Sequence, residues 1–284
     1  MSEKLGEHAT DITPAARRKL LDSLHYRSVD AGDPTMVASL FTGSTDPVVA
    51  YLALPPNLFP PTVRAIDRVG LPAGSRVVLE KPFGDDLDGA VSLNRLLAEF
   101  AAHMGDTGER AVYRVDHVLG MATMQNLRGL RQTPVLDAVW NRSQVQEVEI
   151  LWEETLALEG RAGYYDSAGA LKDVLQNHML QILCLVAMEP PGDPIPVDLP
   201  DRRLEVLRSA RLLGSRRARY AAGRLADSGE ASGTSVPGYA EEKGVDPGRR
   251  TETFVEIGLE LTTERWREVP FFLRAGKALS RRRK

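Results

Sequence analysis

Disulfide chemistry is excluded at the outset, because the 284 residues include a single cysteine, Cys184. It sits in an apolar stretch and reads as a small buried hydrophobe, which fits a reducing cytoplasm. Long hydrophobic runs are also missing: no window of about 18 apolar residues suggests a membrane span. Residues 1–13 are polar and charged, with no apolar core of signal-peptide length. Charge of one sign is lacking too. Thirty-six Lys and Arg against 39 Asp and Glu leave a net charge of −3, so no basic field for nucleic acid is expected. The terminal basic run Arg281-Arg282-Arg283-Lys284 is short, and taken alone it reads as a solvated tail. Clustered Cys/His metal spacings and a Gly-x-Ser-x-Gly nucleophile elbow are absent. What remains is the composition of a globular protein long enough for one large or two ordinary domains.

The most informative positive feature is the stretch 171–183, LKDVLQNHMLQIL. At about 100° per residue, His178 falls among Leu171, Val174, Ile182 and Leu185, while Lys172, Asp173, Gln176 and Asn177 gather on another arc. A helix apolar on nearly every side is normally buried, and burying an imidazole, a carboxylate and amides requires partners for each. A core histidine with a local hydrogen bond satisfies that requirement. So does a general base oriented by a carboxylate from elsewhere in the chain. Asp116-His117, in a strand-to-loop segment, is the candidate source.

Strand-like and helix-like segments alternate in the first part of the chain. The run 48–54 reads as a strand buried on both faces, followed by a helix over 60–69, a strand over 76–80, a helix over 86–103 and a strand over 111–115. That alternation predicts a doubly wound α/β unit with a parallel sheet, spanning residues 1–115. Thr13 and Pro14 predict the start of an earlier helix over 14–25. From residue 116 to 284 the pattern changes to α+β. A helix over 121–131 leads to an alternating strand at 146–152, then a long helix over 167–188, a loop over 227–250, and two antiparallel strands at 253–261 and 266–274.

Glu80-Lys81-Pro82-Phe83-Gly84 closes the predicted strand 76–80. A lysine at a strand's carboxyl end in an open α/β sheet can reach a phosphate or hydroxyl, though a capped strand end with an exposed lysine is an equally good reading. Further segments follow in a fixed order: YLALPPNLF at 51–59, EKPFG at 80–84, RVDHVLG at 114–120, EGRAGYYD at 159–166, DVLQNHML at 173–180, TETF at 251–254 and VPFFLRAGKAL at 269–279. With these blocks in this order, the chain resembles the glucose-6-phosphate dehydrogenase family from about residue 15 onward.

The resemblance implies NADP-dependent oxidation of D-glucose 6-phosphate to 6-phosphogluconolactone, the entry to the pentose phosphate pathway. It implies a Rossmann-like parallel-sheet domain followed by part of an antiparallel-sheet substrate domain. His178 matches the family's general base and Asp116 the carboxylate that orients it. His117 matches a phosphate ligand, and Lys81 a lysine between sugar and cofactor. Glu154, Asp173, Lys277 and Arg282 match substrate-binding residues, while Arg274 and Arg283 match residues near the nucleotide. An alternative from a different class is a non-catalytic homologue that pairs with a full-length enzyme or merely binds sugar phosphate.

The chain departs from the family's pattern in three ways. The family's Asp-His-Tyr-Leu-Gly-Lys-Glu segment reads Asp116-His117-Val118-Leu119-Gly120-Met121-Ala122 here, so Val118 and Met121 stand in place of a phosphate-binding tyrosine and lysine. Each lost charge-assisted contact costs about 1.5–3 kcal/mol, which predicts a weaker substrate site or a different substrate. No Gly-rich strand-turn-helix opens the nucleotide unit, so the expectation is poor support for the NADP pyrophosphate. Few residues follow Lys277, which predicts unpaired sheet edges and either poor solubility, a homo-oligomer or a partner chain.

Overall fold

The computed structural model describes residues 12–41, 43, 45–84, 86–105, 110–158, 160–190, 199–224 and 235–279. Arg282 and Arg283, two of the expected site residues, lie outside them. The chain divides into two compact units, Met1–Val115 and Asp116–Lys284.

In the first unit, helix α1 (Pro14–Asp22) begins where Thr13 accepts a hydrogen bond from the Ala16 N–H at 3.2 Å and Pro14 occupies the first turn. Helix α2 (Pro34–Phe41) follows, a helix the sequence reading did not anticipate. Strand β1 (Val49–Leu52), helix α3 (Phe59–Val69), strand β2 (Arg76–Glu80), helix α4 (Leu87–His103) and strand β3 (Val112–Val115) form two consecutive βαβ crossovers, giving a parallel sheet in the order β1-β2-β3. Leu52, Val77, Leu79 and Val112 pack against Phe59, Val63, Ile66, Leu93, Leu97 and Phe100.

The strand expected over 48–54 is shorter than predicted and buried on one face only. Side chains alternate across a strand, so Ala50 and Leu52 meet the helices while Val49 and Tyr51 point the other way, 66% and 51% exposed. A continuous apolar run therefore does not mark a strand covered on both sides here.

The second unit opens with a 3-10 turn (His117–Gly120), helices α5 (Ala122–Arg131) and α6 (Pro134–Val139), and strand β4 (Val148–Glu153). Helix α7 (Ala162–Ala170), a π-helix (Leu171–Met179) and helix α8 (Leu180–Ala187) come next, followed by helix α9 (Leu199–Ser209) and strand β5 (Ala210–Ala218). A short antiparallel pair, β6 (Gly223–Arg224) with β7 (Ser235–Val236), precedes the long strands β8 (Phe254–Leu261) and β9 (Pro270–Gly276). The main sheet has the order β4-β9-β8-β5. Strands β8 and β9 are antiparallel neighbours, as the sequence predicts, and β5 is antiparallel to β8; β4 runs parallel to β9, which makes the sheet mixed.

Three local readings change. The second strand of the hairpin begins at Pro270 rather than at Trp266, because Trp266 turns into the core, fully buried, with its indole N–H on the Ala187 carbonyl at 2.9 Å. Residues 199–218 form helix α9 and strand β5, neither anticipated; the sequence Ala-Arg-Leu-Leu-Gly-Ser-Arg-Arg-Ala lacks clean alternation because β5 is a mostly exposed edge strand. The single long helix predicted over 167–188 is broken. Gly169 leaves helical geometry at φ 66°, and the nine residues Leu171–Met179 wind as a π-helix. Buried pairs recur at 165/166, 169/170, 174/175 and 178/179, slower than the α-helical repeat of about 3.6 residues, and Leu171 is 45% exposed rather than sharing a face with His178.

Ile150, Trp152, Phe271, Leu273 and Ala275 from the sheet pack against Val174, Leu175, Met179, Ile182 and Leu183. The carbonyls ending α8 are satisfied from outside the helix: Trp140 donates to Val186, Trp266 to Ala187 and Arg131 to Met188, at 2.8 to 2.9 Å. Among the described residues, no helix is long and apolar enough to cross a membrane.

Candidate active site

The site is built where β3 gives way to the 3-10 turn, on the π-helix, and at the carboxyl ends of β4 and β9. Asp116 caps the turn. Its Oδ1 accepts from the Val118 N–H at 3.1 Å and lies 2.6 Å from His178 Nδ1, a contact spanning 62 positions of sequence. The turn thereby fixes the carboxylate, and the carboxylate fixes the ring.

His178 is 3% exposed. Its imidazole stacks on Trp152, with centroids 5.5 Å apart and planes 22° from parallel, and meets the edge of exposed His117 at 4.7 Å. With the Nδ1 proton assigned to the bond with Asp116, Nε2 is left as the basic nitrogen. Burial pushes the Asp116 carboxyl up, but the hydrogen bond and charge of His178, the Val118 N–H and His117 together outweigh it, and the net shift is downward. Asp116 is therefore ionised at neutral pH.

Ligand-type atoms of Asp116, His117 and His178 all lie within 4.8 Å of one another, a grouping that sequence spacing did not suggest. Donors on one tetrahedral zinc sit roughly 3.4 Å apart when bonds are about 2.1 Å. Holding such an ion would mean opening the 2.6 Å bond between Asp116 and His178. The geometry favours a hydrogen-bonded pair.

Parallel pairing of β4 with β9 brings their carboxyl ends to the same edge, with Glu153 opposite Gly276. One step further, Lys277 Nζ pairs with Glu154 Oε2 at 2.6 Å, and the lysine lies over the Tyr165 ring at 5.4 Å. Tyr164 donates a long hydrogen bond of 3.3 Å to Asp173 on the π-helix. Burial raises the Tyr164 hydroxyl to about 12, helped by Asp173. Tyr165 is raised by burial first, then by Asp173, Glu252, Tyr239 and Glu154, so it stays protonated. Glu154, Asp173 and Lys277 thus share one neighbourhood around Tyr164 and Tyr165.

Arg274 is not part of that neighbourhood. It faces the other side of the sheet from Leu273 and Ala275, held by Glu256 at 2.6 Å and Glu153 at 3.5 Å. Lys81 belongs to the first unit, half-buried at the end of β2, just past Glu80, whose carboxylate accepts from the Tyr51 hydroxyl. Val118 is fully buried in the core and Met121 packs against the same core. Trp152 and Tyr164 were not anticipated as site residues. Trp152 gave the signal of an ordinary core position in an alternating strand, and nothing in the sequence marked it as the stacking partner of His178.

A parallel βαβ sheet followed by a mixed sheet packed against helices is the architecture of a Rossmann-like domain followed by an α+β domain. The family model for the glucose-6-phosphate dehydrogenase C-terminal domain matches residues 131–284, and that for the family's NAD binding domain matches residues 1–126. The chain belongs to the glucose-6-phosphate dehydrogenase family. It is 38% identical to glucose-6-phosphate 1-dehydrogenase of Treponema pallidum, over 98% of this chain and 56% of that protein. It is 43% identical to glucose-6-phosphate 1-dehydrogenase 2 of Mycobacterium bovis, over 82% of this chain and 45% of that protein. The crystal structure of the Mycobacterium avium glucose-6-phosphate 1-dehydrogenase superposes with a TM-score of 0.81 at 35% identity, covering 99% of this chain and 59% of that one. A glucose-6-phosphate dehydrogenase in complex with glucose 6-phosphate superposes with a TM-score of 0.80 at 30% identity, covering 96% and 56%. The chain spans about half the length of the curated relatives it matches.

Proposed function

We propose that the chain takes part in NADP-dependent oxidation of D-glucose 6-phosphate at C1, yielding 6-phosphogluconolactone. The observation that supports this best is the buried bond of 2.6 Å between His178 Nδ1 and Asp116. Making a lactone from a hemiacetal removes a proton from the C1 hydroxyl and a hydride from C1. His178 Nε2 takes the proton, and Asp116 stabilises the imidazolium that results. Concerted removal avoids a free alkoxide, so the base must be oriented before reaction, which the bond and the Trp152 stack accomplish.

Glu154, Asp173 and Lys277 are the proposed sugar-hydroxyl contacts, since fixed carboxylates and an ammonium match a polyol's donors and acceptors. His117, exposed beside His178, is the proposed phosphate contact. For the cofactor, the parallel sheet supplies strand carboxyl ends, and Gly84 lets the loop after β2 press onto the start of α4; a Cβ there would lie 2.6 Å from the Ala90 nitrogen. This close-packed loop and Lys81 fit an anionic dinucleotide and would help to hold it, with Arg274 as a further nucleotide-side candidate. NADP, when bound, supplies the hydride acceptor.

The test is reduced-nicotinamide absorbance with glucose 6-phosphate and NADP, comparing the chain with its His178→Asn variant. Turnover abolished by the substitution supports the reading. A well-folded protein with no turnover overturns it.

A further inference from the structure

We infer that Glu252 is a positioning residue for His178, acting as the clamp that sets the winding of the π-helix. This rests on the proposed function only for what His178 does, not for where it is held. A π-helix of nine residues is unusual, because such winding normally survives only as a single turn and needs support from its surroundings. That support is visible at its first residue. The orphan N–H of Leu171 donates to Glu252 Oε1 at 2.9 Å, and the N–H of Ala170 donates to the Glu252 backbone carbonyl at 3.1 Å. A carboxylate there also meets the positive end of the helix dipole.

The chain around Glu252 is itself pinned on both sides. Thr251 Oγ1 donates to the Asp166 carbonyl at 2.7 Å, and the carbonyl of fully buried Thr253 accepts from the Lys277 N–H at 2.9 Å. One short segment therefore ties the start of the π-helix to the strand end that presents Lys277. Gly169 makes room for the clamp. It has φ 66°, and a Cβ at that position would fall 2.4 Å from Glu252 Oε1.

The consequence for His178 follows from helical geometry. Relaxing one π-turn to an α-turn rotates everything downstream by about one residue, roughly 100°. His178 lies seven positions after Leu171, and such a rotation would carry its ring away from Asp116. Further along, Asn177 Nδ2 donates to the Lys172 carbonyl at 2.8 Å, five residues back, which supports the same winding.

The test compares Glu252→Asp, Glu252→Gln and Gly169→Ala with the unchanged chain. Glu252→Asp withdraws the carboxylate by one methylene while keeping its charge; Glu252→Gln keeps an acceptor oxygen in place. The first readout is the low-field proton resonance of His178 Nδ1–H bonded to Asp116, which needs no turnover. The second is kcat with KM for the sugar. Glu252→Asp and Gly169→Ala are expected to lose or shift the resonance and to lower kcat about ten- to hundredfold, with a smaller change in KM, while Glu252→Gln retains both. A folded Glu252→Asp variant with the resonance and kcat of the unchanged chain overturns the inference. An unchanged chain that shows the resonance but no turnover overturns the proposed function and leaves the resonance comparison to decide the role of Glu252.

Discussion

Replacing Asp116 with asparagine removes a charge and almost nothing else, which makes it the sharpest probe of the site. The amide oxygen can still accept from the Val118 N–H, as the carboxylate does at 3.1 Å, so the 3-10 turn should keep its cap. What disappears is the charged partner 2.6 Å from His178 Nδ1. A hydrogen bond to a charged group contributes about 1.5–3 kcal/mol. Realised only as the ring becomes protonated, that energy corresponds to roughly a ten- to hundredfold fall in kcat. An asparagine NH₂ turned toward Nδ1 would also force the proton onto Nε2 and block the base outright, deepening the loss toward the full worth of a general base, about 10²–10⁴. Asp116 is not among the proposed sugar contacts, so KM should move far less than kcat. The assay is steady-state turnover with glucose 6-phosphate and its C1-deuterated form, whose isotope effect should rise as the chemical step becomes limiting. A variant with unchanged kcat and isotope effect would refute the orienting role.

Other perturbations read different parts of the molecule. Lys277→Met removes the ammonium 2.6 Å from Glu154 in a mostly buried pair, and removing one member of such a pair costs about 3–5 kcal/mol when burial is complete; the 21% exposure of Glu154 lowers that figure, and thermal unfolding together with a raised sugar KM should report it. Met121→Lys adds a cation beside the His117 turn and is expected to lower KM for the phosphorylated sugar about tenfold or more while leaving KM for free glucose unchanged; equal changes for both sugars would show that the lysine does not meet the phosphate. Val118→Tyr, by contrast, should destabilise the fold, since Val118 is fully buried. The Asp116 carboxyl is depressed below its ordinary 3.8, so its contribution to stability is fully present above that pH and is lost as pH falls through the lower folded value; acid unfolding of Asp116→Asn should lack that component. Finally, the face of the first sheet that carries Val49, Tyr51 and Tyr113, each at least 50% exposed, should promote self-association; a monodisperse monomer in light scattering at high concentration would count against it.

Much of the fold is legible because local chemistry and tertiary structure agree. Thr13-Pro14 announces α1, alternating strands and helices announce the parallel sheet, and the two late apolar segments announce the β8–β9 pair. The colinear motifs bring Asp116 and His178 into one expectation across 62 positions, and the structure joins them. Val49 and Tyr51 show where this kind of reading overreaches. An apolar run gives the strand, but covering both faces requires elements on both sides, and the run itself carries no information about them.

The π-helix shows a deeper reason why part of the site was hidden. On a wheel of about 100° per residue, Leu171 belongs with His178, yet it lies exposed because the winding is wider there. Within residues 171–179 only the Asn177 bond to the Lys172 carbonyl favours that winding, and leucine, valine and methionine would serve an α-helix equally well. Most of the information lies in two residues outside it, one just before and one far along the chain. Gly169 breaks the preceding helix and leaves a gap, and Glu252, 81 positions after Leu171, fills it and takes the free N–H. A residue pattern read along one segment cannot contain that instruction. The direction of His178, on which the proposed chemistry depends, is therefore a tertiary property, set by a glutamate in a strand-leading loop as much as by the helix that carries the histidine.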